Sequence, residues 1–203
     1  MYERDPLNLI IWGRGGQGNV LLSRLLAGAF ARRGYNITTG NTFGASQRGG
    51  SVMSHVRISK KRFYGALIPK GNAHVMLSLE PMETIRILAT YGNPEVVVIS
   101  NIHPVYPPAA ITGDRGYPDL QEMKRVMRAL SARCWFLDAT EISLEMGNRN
   151  MANTVMMGAL LQTRVINLSK SDIEGAIREV FSPKIVRSNL LAIKRGMQAV
   201  QTQ

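Results

Sequence analysis

The chain has 203 residues, 45% of them hydrophobic and 19% charged, so it can bury a core and lacks the composition of a disordered protein. A single cysteine, Cys134, excludes a disulfide framework, and it excludes an iron–sulfur cluster or structural zinc site whose ligands are all cysteines of this chain. No apolar run has the length of a membrane span and the polar start is unlike a signal peptide, so we expect a reduced, cytoplasmic compartment.

The formal net charge of +11 has three interpretations. We expect most of the basic residues to form a solvated surface. A minority would recognise an acidic partner protein or a phosphorylated ligand, because the arginine fork suits carboxylates and phosphates. Nucleic acid ranks third, since the tightest groups, Arg32–Arg33 and Lys60–Arg62, do not form the run or stripe typical of nucleic-acid binders.

The first predicted elements are a strand, a glycine turn and a helix. Leu7–Trp12 is a short apolar run typical of a buried strand, and glycines follow it at once. Val20–Arg33 then has apolar residues at helical spacing and is followed by Gly34, a common residue after a helix end. This order is typical of the start of a doubly wound α/β domain.

A β-hairpin is predicted next. Ser51–Ser59 alternates, with Val52, Val56 and Ile58 on one face, and Lys60-Lys61 provides a polar turn. Residues 62–68 are predicted as the second strand of this hairpin.

Buried strands and helices alternate in the rest of the chain. Residues 101–118 hold four prolines and no clean period, which predicts a long loop. The fold class predicted for this single domain, 1–203, is α/β: a Rossmann-like three-layer sandwich with a mostly parallel sheet and an inserted β-hairpin. Further strands are predicted at His74–Leu79, Glu95–Ser100 and Cys134–Ala139, and helices at Met82–Tyr91, Asp119–Ala132, Met151–Thr163 (buried all round), Ser171–Phe181 (opened by a capping box at Ser171–Glu174) and Pro183 to about Val200.

The glycine turn, GRGGQG, has the GxGxxG spacing between a strand and a helix. Glycines let backbone N–H groups approach an anion, and the helix N-terminus adds a positive dipole. A dinucleotide site also needs an acid about 20 residues later for the ribose, and residues 34–41 contain none, which weakens the case for NAD. The alternative is a tight turn without a ligand. The candidate residues are Gly13, Gly15, Gly16, Gln17 and Gly18.

A second polar segment, TFGASQRGGS, lies at residues 42–51. Its loop follows the second strand as the glycine turn follows the first, so we expect both at the carboxyl edge of the sheet. Arg48 would then face the N-terminus of the first helix, and an anion would bind between them. The alternative is a flexible lead into the hairpin. The candidates are Ser46, Gln47, Arg48, Gly49 and Gly50.

Glu80 directly follows a predicted buried strand, which also places it at the carboxyl edge. It is equally consistent with a ligand contact and with capping of the next helix. No catalytic residue is predicted, because the sequence lacks a GxSxG elbow, a Walker A lysine, a Cys–His pair and a convincing acid–base pair, and its three histidines lack a metal-site spacing.

Three stretches together resemble one known family: residues 13–18, 42–59 and 67–86 look like the gamma subunit or domain of 2-oxoacid:ferredoxin oxidoreductases. The SQRGGSV sequence is most similar to the small (beta) subunit of indolepyruvate:ferredoxin oxidoreductase, and Asn153–Leu160 with the closing helices is similar as well. The resemblance spans nearly the whole chain, while the loop at residues 101–108 matches no pattern of the family.

The resemblance implies a role in an enzyme that decarboxylates a 2-oxoacid, an aryl pyruvate among the candidates, on thiamine diphosphate. Electrons pass through iron–sulfur clusters to ferredoxin, and CoA as co-substrate leaves as acyl-CoA. The resemblance also implies that the anion bound between Arg48 and the first helix is a CoA phosphate or a carboxylate of the partner. Thiamine diphosphate and the clusters would lie on a partner subunit and no cofactor on this chain, which would be inactive alone. The competing hypotheses are a stand-alone Rossmann-type nucleotide-binding protein and, less favoured, a nucleic-acid-binding module. No membrane partner is expected.

Overall fold

A six-stranded sheet forms the centre of the structure, a computed structural model that describes residues 4–44, 50–106 and 116–201. The strands are β1 Leu7–Arg14, β2 Asn36–Phe43, β3 Ser51–Ser59, β4 Val75–Ser78, β5 Val97–Asn101 and β6 Arg133–Leu137. Their order in the sheet is β2-β3-β1-β4-β5-β6. Strands β1, β4, β5 and β6 are parallel neighbours, whereas β3 lies antiparallel between β1 and β2. The mostly parallel α/β sheet predicted from the sequence is therefore confirmed.

Helices cover both faces of the sheet, which makes three layers. On one face Leu9 and Ile11 of β1 pack into the larger core, and on the other Ile10 packs into the smaller one. Because both faces of β1 are buried, its sequence is apolar without alternation. The described helices are α1 Asn19–Arg32, α2 Pro81–Tyr91, α3 Leu120–Ala129, α4 Ala139–Glu145, α5 Ala152–Gln162, α6 Lys170–Val180 and α7 Pro183–Gln201, with a 3₁₀ turn at Arg149–Met151. The larger core holds residues of α1, α4, α5, α6 and α7, and the smaller one those of α2 and α3.

The hairpin consists of β2 and β3, so the predicted strand at residues 62–68 is wrong. The reason is that β3 bonds to β1 along one edge and to β2 along the other, which leaves no edge for residues 62–68. That segment instead crosses the hairpin. Arg57 Nη1 donates to the carbonyl of Gly65 at 3.0 Å, and the guanidinium of Arg57 lies 4.9 Å from the centre of the Tyr64 ring.

The capping box of α6 lies two residues earlier than predicted. The Ser169 hydroxyl accepts from the backbone N–H of Asp172 at 3.2 Å, and the Asp172 carboxylate accepts from the backbone N–H of Ser169 at 2.7 Å. The sequence prediction of Ser171–Glu174 had the correct motif form at the wrong register. Helix α4 was not predicted at all. Among the described residues, no helix combines the length and the apolar character needed to cross a lipid bilayer.

Candidate functional site at the carboxyl edge of the sheet

The glycine turn lies at the carboxyl edge, between the end of β1 and the start of α1. Gly16 has φ +95° and Gly18 has φ +83°, backbone conformations that side chains with a Cβ rarely adopt. Gly18 is the N-cap of α1 and offers no side chain, so no side-chain cap is made to the first amides of this helix. Open space surrounds the position a Cβ would occupy at Gly16. The backbone at Gly16 is therefore exposed, whereas the Asn153 side chain covers Gly18 and donates to its carbonyl at 3.4 Å.

Gln17 ties this turn to the neighbouring strand. Its Oε1 accepts from the backbone N–H of Arg14 at 2.6 Å, and its Nε2 donates to the carbonyl of Leu79, just past β4, at 3.3 Å. A Cβ at Gly13 would lie 3.0 Å from the Cβ of Leu79, so Gly13 permits this close approach. Both polar atoms of the Gln17 side chain thus bond within the protein, and Gly13 serves packing.

The two glycine-rich segments meet at this edge. The backbone N–H of Gly15 donates to the carbonyl of Gly50 at 2.8 Å. The N–H of Gly44 donates to the carbonyl of Ser51 at 2.8 Å, which closes the base of the loop between β2 and β3. Four further candidates lie outside the described residues: Ser46, Gln47, Arg48 and Gly49. Gly15 and Gly50 are thus direct neighbours, although they belong to separate segments of the sequence.

Glu80 is fully buried at the N-terminus of α2. As the N-cap residue it accepts at Oε2 from the backbone N–H of Glu83 at 2.7 Å. Its Oε1 accepts from the Tyr117 hydroxyl at 2.5 Å and from the backbone N–H of Val105 at 3.3 Å. Burial, and then the bond to Glu80, raise the pKa of Tyr117 far above its usual value. Glu80 therefore caps the helix and joins the two described ends of the loop after β5.

A second buried acid was missed by the sequence analysis. Glu83, 2% exposed, accepts at Oε2 from Trp12 Nε1 and from the Ser51 hydroxyl, both at 2.9 Å. Its Oε1 accepts from Arg86 Nη1, also at 2.9 Å. The available signal was an acid three residues after the N-cap, which is common at exposed helix starts and gave no reason to expect burial.

A small polar cleft opens beside the glycine turn, with a volume of about 80 Å³. Its floor is fixed by Asn101, whose Nδ2 donates to the Leu79 carbonyl at 3.1 Å and to Thr140 Oγ1 at 3.0 Å. The His103 ring lies 3.4 Å from the Asp138 carboxylate. The Arg149 guanidinium and the side-chain amides on the wall suit an anionic group of a ligand. The lining residues are Gly16, Gln17, Leu79, Asn101, His103, Val105, Thr140, Arg149, Asn150 and Ala152.

Three lining residues were not predicted as members of a site: His103, Arg149 and Asn150. His103 follows β5 at the carboxyl edge, and this position was the only signal for it. Arg149 and Asn150 come from the 3₁₀ turn before α5, which was not predicted. Within residues 4–44, 50–106 and 116–201, no three His, Cys, Asp or Glu side chains cluster as metal ligands would.

Comparison with known proteins gives a consistent family. The family model for pyruvate ferredoxin/flavodoxin oxidoreductase matches residues 8–199. Indolepyruvate oxidoreductase subunit IorB of Archaeoglobus fulgidus is 39% identical over 190 residues, covering 94% of this chain and 93% of its own length. The protein of the same name from Thermococcus kodakarensis is 36% identical over 195 residues, covering 96% of both. The pyruvate/ketoisovalerate oxidoreductases common subunit gamma of Pyrococcus abyssi is 26% identical over 190 residues, covering 93% and 94%.

Solved structures share the fold. Pyruvate oxidoreductase subunit PORC of Thermotoga maritima superposes with a TM-score of 0.73 at 21% identity and covers 97% of both chains. A 2-oxoglutarate:ferredoxin oxidoreductase chain from Magnetococcus marinus, solved with 2-oxoglutarate, coenzyme A and succinyl-CoA bound, has a TM-score of 0.74 at 21% identity. The match covers 99% of the present chain and 32% of that longer chain.

Proposed function

The chain belongs to the pyruvate ferredoxin/flavodoxin oxidoreductase family, and from that premise we propose that it is the gamma-type subunit of a thiamine-diphosphate-dependent, indolepyruvate-type 2-oxoacid:ferredoxin oxidoreductase. The complex cleaves the C1–C2 bond of an aryl pyruvate. CO₂ leaves, the acyl group forms a thioester with CoA, and two electrons reduce two ferredoxins. The identities support this substrate class, because the two indolepyruvate subunits reach 36% and 39% whereas the pyruvate/ketoisovalerate subunit reaches 26%.

Thiamine diphosphate and the iron–sulfur clusters belong, in this proposal, to a partner subunit. The chain's one cysteine cannot supply the four thiolates that a cluster needs. This subunit is therefore inactive alone and reaches ferredoxin only through its partner. In the same proposal, it is a single domain that works in the cytoplasm.

The chain's own contribution is an anion site at the carboxyl edge. The observation that carries it is the bond from the Gly15 N–H to the Gly50 carbonyl, since it joins the two glycine-rich segments whose backbones would bind a phosphate. Arg48 completes the site with a guanidinium fork, and the adjoining cleft with His103 and Arg149 takes a further polar group of CoA. These groups bind and orient CoA; they transfer no proton.

Copurification from the native host, followed by reconstitution, tests this proposal. We expect a larger partner that carries thiamine diphosphate and iron–sulfur absorption, and CoA-dependent turnover of aryl pyruvates in preference to pyruvate. The pure chain, supplied with thiamine diphosphate and a dye acceptor, should show no turnover.

Three results would refute the proposal: turnover by the chain alone, a strictly monomeric chain in the presence of the thiamine-bearing subunit, or a complex that prefers pyruvate. Tight retention of a nucleotide by the isolated chain would favour the stand-alone nucleotide-binding alternative.

A further inference from the structure

Glu83 is a buried carboxylate that joins three separate elements. Trp12 belongs to β1, Ser51 to β3 and Arg86 to α2, and all three donate to it at 2.9 Å. Burial of a carboxylate is unfavourable unless donors satisfy it. Here they do, and two of the three come from strands rather than from the helix that carries Glu83.

The helix does not need this carboxylate for its own start. Glu80 already caps α2 by accepting from the backbone N–H of Glu83. An acid at the third helical position that only complements the helix dipole stays exposed, as Glu122 does at the matching position of α3, where it pairs with Arg125 at 2.8 Å. Glu83 likewise pairs with an arginine three residues later, Arg86, but its Oε2 accepts hydrogen bonds from residues of the sheet.

The two strand residues that Glu83 holds lie at the glycine-rich segments: Trp12 directly precedes the glycine turn, and Ser51 is the last residue of the 42–51 segment. Ser51 is the first residue of β3 and lies opposite Arg14, the last residue of β1. The adjacent carbonyl, that of Gly50, accepts from Gly15 in the glycine turn. One carboxylate oxygen thus fixes the end of β1 through Trp12 and the start of β3 through Ser51.

We propose that Glu83 is a positioning residue for the anion site: acting through Ser51 and Trp12, it fixes the base of the loop at Gly50 against the glycine turn, and so sets the affinity for CoA. The proposal rests on the proposed function. Glu83 itself does not touch the ligand, because its two oxygens are occupied by protein donors.

Steady-state kinetics on the reconstituted complex, with CoA varied, tests this role. Ser51→Ala removes one bond to a charged acceptor and should raise the KM for CoA about tenfold, while kcat stays within about twofold. Glu83→Ala should raise this KM further. Glu83→Gln keeps an acceptor oxygen for Trp12 and Ser51 and should restore most of the affinity.

Two further measurements separate positioning from general stability. Subunit affinity should stay unchanged in Ser51→Ala and Glu83→Gln. A Trp135→Phe background leaves Trp12 as the remaining tryptophan of this chain. In that background the fluorescence emission maximum of Trp12 should shift in Glu83→Ala and return towards the wild-type wavelength in Glu83→Gln. Glu122→Ala is the matched control, since it removes an acid at the same helical position with the same arginine spacing.

Distinct results refute the two proposals. The role of Glu83 is refuted if the wild-type complex requires CoA and the KM for CoA in Ser51→Ala and Glu83→Ala equals that of wild type and of the control Glu122→Ala. If kcat, KM and assembly all change together in Ser51→Ala, Glu83 is merely structural and the inference also fails. A wild-type complex that turns over without CoA refutes the proposed function itself, and the CoA role of Glu83 with it.

Discussion

Gly158 of α5 and Gly196 of α7 lie where these helices cross, and each packs directly against the backbone of the other helix with no Cβ between them. A Cβ at Gly158 would lie 2.8 Å from the carbonyl carbon of Ile193, and one at Gly196 would lie 2.8 Å from that of Val155. Real Cβ atoms do not approach backbone so closely. The two glycines therefore allow α7 to cover α5, a helix whose Val155, Met156 and Met157 are fully buried.

We expect Gly158→Ala and Gly196→Ala each to lower the free energy of unfolding by about 2–3 kcal/mol, because backbone atoms cannot move aside as side chains do. Denaturant unfolding measures this. Gly28→Ala in α1 is the control: nothing lies within 4 Å of its Cβ position, so alanine should stabilise by about 0.5–1 kcal/mol. A Gly158→Ala variant as stable as wild type would contradict the close crossing.

Arg48 should be required for CoA use or for assembly. We expect Arg48→Ala to weaken the apparent CoA affinity or the subunit affinity by about 10- to 100-fold, corresponding to roughly 1.5–3 kcal/mol for a hydrogen bond to a charged group. Arg48→Lys should recover only part, since lysine keeps the charge and loses the fork. Kinetics with CoA varied and a subunit titration give both quantities.

The control for this charge removal is Arg24→Ala, at an exposed position of α1. If Arg48→Ala matches Arg24→Ala in both quantities, Arg48 binds neither CoA nor the partner.

Stability should fall in mild acid because of His74. Its Nδ1 accepts from the backbone N–H of Asn8 at 2.9 Å. Burial, assisted by the nearby Arg4 and Arg57, lowers the pKa of His74 to about 4. In the unfolded chain His74 takes up a proton near pH 6.5. The contribution of neutral His74 to the free energy of unfolding is therefore complete above pH 6.5, and up to about 3 kcal/mol of it is lost as the pH falls towards 4.

His74→Asn tests the assignment, because an amide oxygen can replace Nδ1 as acceptor without titrating. Denaturant unfolding between pH 7 and 4 should show a shallower loss of stability in this variant. Burial also lowers the pKa of His55, which should leave a residual slope of the same sign. A slope unchanged by His74→Asn would contradict the assignment.

Cys134 should resist thiol reagents in the folded protein. Burial raises its pKa to about 12, so roughly one thiol in ten thousand is ionised at pH 8, against about a quarter for an ordinary thiol. We expect an aromatic disulfide reagent to label the Cys134 thiol about a thousandfold more slowly in the native protein than in denaturant. Rapid native labelling would show that this edge of the sheet is open.

The outline of the fold was predictable because local signals agree with it. The apolar run of β1, the glycines after it and the helical spacing of α1 describe neighbouring elements whose order needs no long-range information. The partner of β3 was predicted wrongly, because sequence proximity favoured residues 62–68 whereas β1 and β2 occupy both edges of the strand. Pairing across such distances leaves no local mark in the sequence.

The site was predictable only as far as segments. The two glycine-rich segments were placed at one edge, and the Gly15–Gly50 bond joins them there. The inward roles of Gln17 and Glu83 were not visible, because each side chain bonds to strands distant in sequence. Whether a polar side chain bonds to a ligand or to the protein depends on which hydrogen-bond partners the folded chain brings next to it.

The position of β3 has a consequence for synthesis of the chain. The strands bonded to β1 in the described residues are β3 and β4, whose first contacts with it are at Ser51 and Val75. β1 therefore leaves the ribosome long before either partner, with an apolar sequence and two unpaired edges. Ribosome-bound chains that end before β3 should be held by chaperones, and release should follow once β3 and β4 have emerged.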